Sequence, residues 1–268
     1  MNLALAGLGY GVTIFALILL TVQSRKLIAI FKSGQPDPTR RDKKPQRLRM
    51  MLGEVFGHSK MLNFTVVGFA HWFVMVSFFG LFGTLVTAYG QLINPYFVIP
   101  VIGHFWVYEY ITELLAWTTG IAIVALIGIR QVTLRTNKRS RFAGSGNWKA
   151  YYVEATVLAV VFCVIALRGL EGALSDETSW NRHFITTWFI AAMFKSMTLS
   201  QIESWIQIVA AIKIVTSMLW FVVLAANLTM GITWHRFLAP FNIFYRRNAD
   251  GKSSLGALPV MMSHGKEI

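Results

Sequence analysis

Five long apolar stretches, at 3–22, 62–88, 108–129, 151–167 and 205–228, constrain this chain more than any motif in it. Most are close to the ~20 residues that cross the hydrocarbon core of a bilayer as an α-helix. The fourth is the shortest and is expected to start or end in the interface. A water-soluble core would have to surround five such segments with other apolar chain, whereas lipid does so without further sequence. The expected fold is therefore all-α, a polytopic five-transmembrane-helix bundle over residues 1–248, with 249–268 as a Gly- and Ser-containing cytoplasmic tether.

Charge supplies the expected orientation. Twenty-one of the 25 Lys and Arg residues fall at 25–60, at 130–149 or after 235. The other two connections carry only Arg168, Arg182 and Lys195, beside Glu171, Asp176 and Glu177. Cytoplasmic loops concentrate Lys and Arg, so the N-terminus is expected outside and the C-terminus inside. The net charge of +13 then reads as topology plus attraction to anionic headgroups. It does not read as nucleic-acid binding, because no soluble basic domain is left over to carry it. The first apolar stretch has its charges, Arg25 and Lys26, after it rather than before it, as in an N-out anchor and unlike a cleaved leader. Cys163 is the single cysteine, so an iron–sulfur cluster, which wants about four thiolates, would sit on a partner or a further domain.

Between the spans, 33–47 is polar, basic and Pro-containing and reads as a cytoplasmic linker, with a helical stretch at 48–57 leading into the second span. The outer connection 169–203 contains the apolar run 184–194. At 11 residues this run is too short to span, and it is expected to be re-entrant or to lie on the surface.

Polar side chains inside a membrane are costly and are functional candidates by default. His71 falls about nine residues inside the second span; His58 lies just before it, and His235 just after the fifth. His58 and His235 are thus expected at matching depth on two helices, an arrangement that suits ligation of a b-type haem iron and equally describes two ordinary interfacial histidines. Counted along one ideal helix, the 13 residues from His58 to His71 rise ~20 Å and turn the two side chains ~140° apart, so they are not expected on one iron. At the depth of His71 the fifth span offers Lys213, Ser217 and Met218, of which Met218 and Lys213 are conceivable ligands. Lys213 must otherwise snorkel, pair with an acid or line a polar cavity. Glu109 and Glu113 are i,i+4 on the third span and share a face. They are candidates for pairing with Lys213, for proton relay to a quinone, or for a buried salt bridge that fixes packing.

The segments FGHSKMLNFTVVGFAHWFVMVSFFGLFGT (56–84) and MGITWHRFLAPFNIFYRRN (230–248) carry a resemblance. Over about residues 3–248 the chain resembles the membrane domain of heterodisulfide-reductase-like iron–sulfur oxidoreductases, including those linked to electron-transfer flavoprotein. It is also similar to the gamma subunit of respiratory nitrate reductase. The resemblance implies a dihaem cytochrome b fold in a bacterial plasma membrane, passing electrons between a cytoplasmic iron–sulfur domain or subunit and menaquinone or ubiquinone. It implies that His58 and His235 ligate the cytoplasm-proximal haem and His71 the distal one, whose usual histidine on the fifth span is absent here. It further implies iron–sulfur clusters on a domain beyond the tether or on a partner. The alternatives are a haem-free anchor that docks a redox partner or binds quinone, and a small transporter, for which no inverted repeat is seen. Arg49, Lys60, Arg236 and Arg246 are expected inner-face cations, suited to haem propionates.

Overall fold

The computed structural model describes residues 2–137, 147–250 and 260–267. The expected inner-face cations Lys138, Arg139, Arg141 and Lys252, and tether residues 251–259, lie outside the described residues. The described chain is mostly helical, with five helices long and apolar enough to cross a membrane. It divides into two units, one of residues 1–34 and 60–235 and the other of residues 35–59 and 236–268.

The first unit opens with α1 (Leu3–Lys32), which Asn2 caps by accepting from the Leu5 N–H at 3.3 Å. The second apolar stretch is not one helix. A 3-10 turn (Met61–Phe64) leads into α3 (Thr65–Gly80), Leu81 interrupts, and α4 (Phe82–Ile93) continues; α2 (Lys44–Val55) belongs to the other unit. The freed backbone groups at the break find local partners, as lipid requires. The Leu81 N–H donates to Ser77 O at 2.9 Å, and the Thr84 N–H and hydroxyl both donate to Leu81 O, at 3.0 and 2.6 Å. Gly80 and Gly83 flank the break because a Cβ at either would meet Leu115 or Tyr108 of the next helix.

That helix is α5 (Trp106–Asn137), followed by α6 (Asn147–Leu174), the six-residue α7 (Trp188–Met193) and α8 (Leu199–Ala226). The apolar run 184–194 thus yields a short helix, packed on α6 where Gly169 and Gly172 admit Ile190 and Ala191. Thr198 and Gln201 form a reciprocal capping box at the start of α8. Helix α8 is the centre of the unit, packing against α1, α4 and α6. Its buried Ile202, Ile206, Ala210, Ile214 and Met218 recur every fourth residue, one continuous ridge along the helix. Ala16, Ala88, Leu92, Leu167 and Leu170 complete this core from the neighbouring helices. Small residues bring the backbones close, the usual solution where lipid removes the hydrophobic drive between helices. Ala16 is fully buried, and a Cβ at Gly9 would lie 2.7 Å from Leu92 Cδ1. Outward side chains such as Leu8, Ile14, Phe15 and Ile18 of α1 are exposed, as suits lipid contact. Smaller clusters join α3 to α5 through Ala70, Val74, Ala122 and Ile123, and Ser77 Oγ donates to Leu115 O at 3.2 Å.

The second unit contains a 3-10 turn (Pro38–Arg41) capped by Asp37, then α2 (Lys44–Val55). The Thr39 N–H and hydroxyl both bond the Asp37 carboxylate and hold its pKa below the usual range. Helix α9 (Gly231–Phe244) falls in this unit from Arg236 onward. Arg47 of α2 is 0% exposed and caps the carbonyl end of α9, donating to Phe244 O at 3.2 Å, Arg246 O at 2.5 Å and Arg247 O at 3.4 Å. It also holds Asp42 Oδ1 at 2.6 Å and Thr39 O at 3.1 Å. The last carbonyls of a helix lack intrahelical donors, and one guanidinium here serves that of Phe244 together with those of Arg246 and Arg247 just beyond the helix. Residues 262–267 form a two-residue-per-strand hairpin within the stretch expected to be a plain tether.

Candidate functional site

Two groups of polar side chains in the first unit stand out. The first is a pair of imidazoles. His71 lies on the second turn of α3, half-buried, and His235 lies early in α9, exposed. Their ring centroids are 6.1 Å apart with the ring planes inclined at 43°. Counting along ideal helices places no histidine at the depth of His71, and the structure corrects that expectation. Helix α8 stops at Ala226, and the chain turns at 227–230, with the Met230 N–H donating to Asn227 O at 3.0 Å and Trp234 Nε1 to the same oxygen at 3.2 Å. The turn, not a straight continuation of the fifth helix, determines where His235 falls.

His58 lies in the second unit, in a bend between α2 and the Met61–Phe64 turn, so the ideal-helix count from His58 to His71 does not apply. It adopts φ +49°, the left-handed region that histidine enters more readily than most residues. Its Nδ1 lies 2.9 Å from Val55 O, and because a carbonyl only accepts, the proton of this contact is on Nδ1. Met218 is buried in the apolar core with Ile214 and Ala211. Arg246, expected among the inner-face cations, pairs with Glu54 at 2.5 Å.

The second group gathers around Arg168, which sequence reasoning leaves in a connection because the fourth apolar stretch ends at 167. Helix α6 runs on to Leu174, and Arg168 and Glu171 occupy one face of its last turns. Arg168 NH1 donates to Glu171 Oε2 at 2.8 Å and lies 3.6 Å from Glu109 Oε1. Its Nε and NH2 donate to Glu113 Oε1, both at 3.3 Å, and NH2 also reaches His183 O. The guanidinium stacks over Phe184, 4.4 Å from the ring centroid. Glu113, 1% exposed, accepts in addition from Thr187 Oγ1 at 2.6 Å, Thr186 Oγ1 at 2.6 Å and the Thr186 N–H at 2.8 Å. Glu109 Oε2 takes His183 Nδ1 at 2.6 Å, and Gln91 Nε2 donates to Glu171 Oε1 at 2.7 Å. Glu109 and Glu113, candidate partners of Lys213 in the sequence, are instead engaged by Arg168, His183, Thr186 and Thr187.

Lys213 is 1% exposed. Its Nζ donates to Thr84 O at 2.8 Å and Thr84 Oγ1 at 2.7 Å, just after the break between α3 and α4. No carboxylate lies within ion-pair distance of Lys213 among the described residues. Arg168, Glu171, His183, Gln91 and the two threonines were missed as site residues. The available signals were the i,i+3 Arg–Glu pair and the polar residues of HFITT (183–187) inside an otherwise apolar run.

The chain matches no family model, no curated protein and no solved structure. Its functional reading rests on the residues themselves.

Proposed function

We propose that this chain is the membrane electron-transfer domain of a quinone-linked respiratory oxidoreductase, N-terminus outside and C-terminus cytoplasmic. The observation that carries the reading is the approach of His71 and His235. Metal–imidazole bonds are about 2 Å long, which sets the centroids of two rings on one metal about 6 Å apart. The 6.1 Å separation fits. In this assignment His71 and His235 hold the iron of one b-type haem. That replaces the pairing of His58 with His235 which the family resemblance implies. Bound there, haem supplies one-electron carriage between a cytoplasmic partner and membrane quinone.

The rest of the chain supports that role through charge and position. Basic residues of 35–59 would present a positive face to an acidic partner and steer its docking. The partner in this reading is an iron–sulfur domain or subunit, supplied in turn by an electron-transfer flavoprotein.

A second reading, a haem-free anchor that docks the redox partner, draws on Lys213 and Met218. Both residues that could stand opposite His71 on the fifth span have other occupations, at Thr84 and in the apolar core. A dithionite-reduced minus oxidised spectrum with pyridine haemochrome quantification separates the two. The proposal expects one b-type haem per chain, lost in His71→Ala and in His235→Ala and kept in His58→Ala. Absence of any α-band in protein from haem-supplied cells, or a full band in His71→Ala, would move the assignment to the anchor.

A further inference from the structure

Beside Lys213 the first unit has a partly open cavity of about 40 Å³, lined by polar groups of α4, α5, α6 and α8 and by Val98, Ile99 and Gly103 of the outer connection. Three buried side-chain oxygens around it lack a hydrogen-bond partner: Gln91 Oε1, Tyr108 Oη and Thr112 Oγ1. Gln91 and Thr112 are 1% and 3% exposed. Buried polar groups are almost always hydrogen-bonded, because desolvating one without a partner is costly, so a site like this calls for an occupant.

The chemistry of the lining narrows the occupant. Two of the three Lys213 N–H bonds go to Thr84, leaving one donor. Gln91 Oε1 is an acceptor only, while the Tyr108 and Thr112 hydroxyls each donate and accept. An anion would meet the unfavourable Gln91 oxygen, and a metal cation would meet the ammonium. A water accepts from Lys213, donates to Gln91 and bonds a hydroxyl on either side, within the two to four partners that buried waters find. A buried water needs roughly 10–15 Å³ by this measure, so the volume suits a few of them. Organic-ligand pockets run to about 300–1,000 Å³, so a quinone ring is excluded.

We infer that this cavity is a hydration site. Ordered water bridges Lys213 to Gln91, and through Gln91 Nε2 to Glu171 and the Arg168 cluster. Lys213 is thereby wetted from the side of residues 98–103 and can exchange its proton with cavity water there. The site does not depend on haem, and its test contains no haem readout.

X-ray radiolytic footprinting of the full chain in nanodiscs reads it directly, because radicals form from bound water in place. Val164 and Leu167 line the cavity at 2% and 4% exposure, whereas Ile214 and Leu224, at 0%, are buried without lining it. The inference expects Val164 and Leu167 to be oxidised several-fold faster than Ile214 and Leu224. It also expects Gln91→Leu and Lys213→Met each to bring the rates of Val164 and Leu167 down toward the controls. Equal slow labelling of all four residues in the unaltered chain would overturn it. So would cavity labelling that both substitutions leave unchanged.

Discussion

Replacing Arg168 with methionine tests the cluster most severely. Methionine keeps much of the stem volume and removes the guanidinium that pairs with Glu109, Glu113 and Glu171. Four hydrogen bonds to carboxylates and carbonyls disappear with it, apart from the longer Glu109 contact. Breaking a buried ion pair by deleting one partner costs about 3–5 kcal/mol, because the remaining charge stays buried and unpaired. For a chain of this size each kcal/mol lowers Tm by about 2–4 °C, so a drop on the order of 10 °C is expected. The molecule carries its own reporter, since Cys163 is its single cysteine and is 3% exposed. A thiol-reactive dye that fluoresces on coupling will respond only when α6 opens. Adding Glu113→Gln should recover part of the loss: the amide oxygen can still accept from Thr186, the amide N–H can donate to the Thr187 hydroxyl, and one buried charge is gone. A drop of under about 2 °C in Arg168→Met, or strictly additive losses in the double variant, would refute the claim that these groups are energetically coupled.

Two further outcomes are expected. Arg47→Ala should leave the carbonyls of Phe244, Arg246 and Arg247 without their shared donor, at a cost of about 2–4 kcal/mol; limited proteolysis should then cut 35–59 several-fold faster while residues 60–235 stay protected. Gly9→Val places a branched side chain against Leu92 and should cost about 1–3 kcal/mol through overpacking, read by the same dye assay, whereas Gly7→Val, with open space around it, should change little.

How much of this was legible in the sequence depended on the length scale. Five apolar helices followed from run length alone, and each of the five appears. The short helix at Trp188–Met193 was also legible, because 11 apolar residues cannot cross a bilayer. The site was less legible because depth was counted at 1.5 Å per residue along unbroken helices. Neither histidine-bearing segment is unbroken. The 3-10 turn at Met61–Phe64 precedes α3, and the turn at 227–230 follows α8, so the imidazole beside His71 is that of His235, which a count along straight helices places elsewhere. Arg168 was hidden by a different rule. An apolar window ends at the first charge, whereas α6 continues past Arg168 because Glu109, Glu113 and Glu171 supply there what water would otherwise supply. Hydropathy sees the cost of a charge and not its compensation.

The interruption at Leu81 has a consequence for how this molecule can vary. A straight helix runs beside the same neighbours for its whole length, but here α3 lies along α5 and α4 along α8. The joint changes partners midway, and Thr84 sits on it with a hydroxyl that donates to Leu81 O and accepts from Lys213. The position of the one amine inside the fifth span is therefore set by a bend in the second. Substitutions at Gly80 or Gly83 that straighten the joint would register first as a displaced ammonium, on a helix those glycines do not belong to.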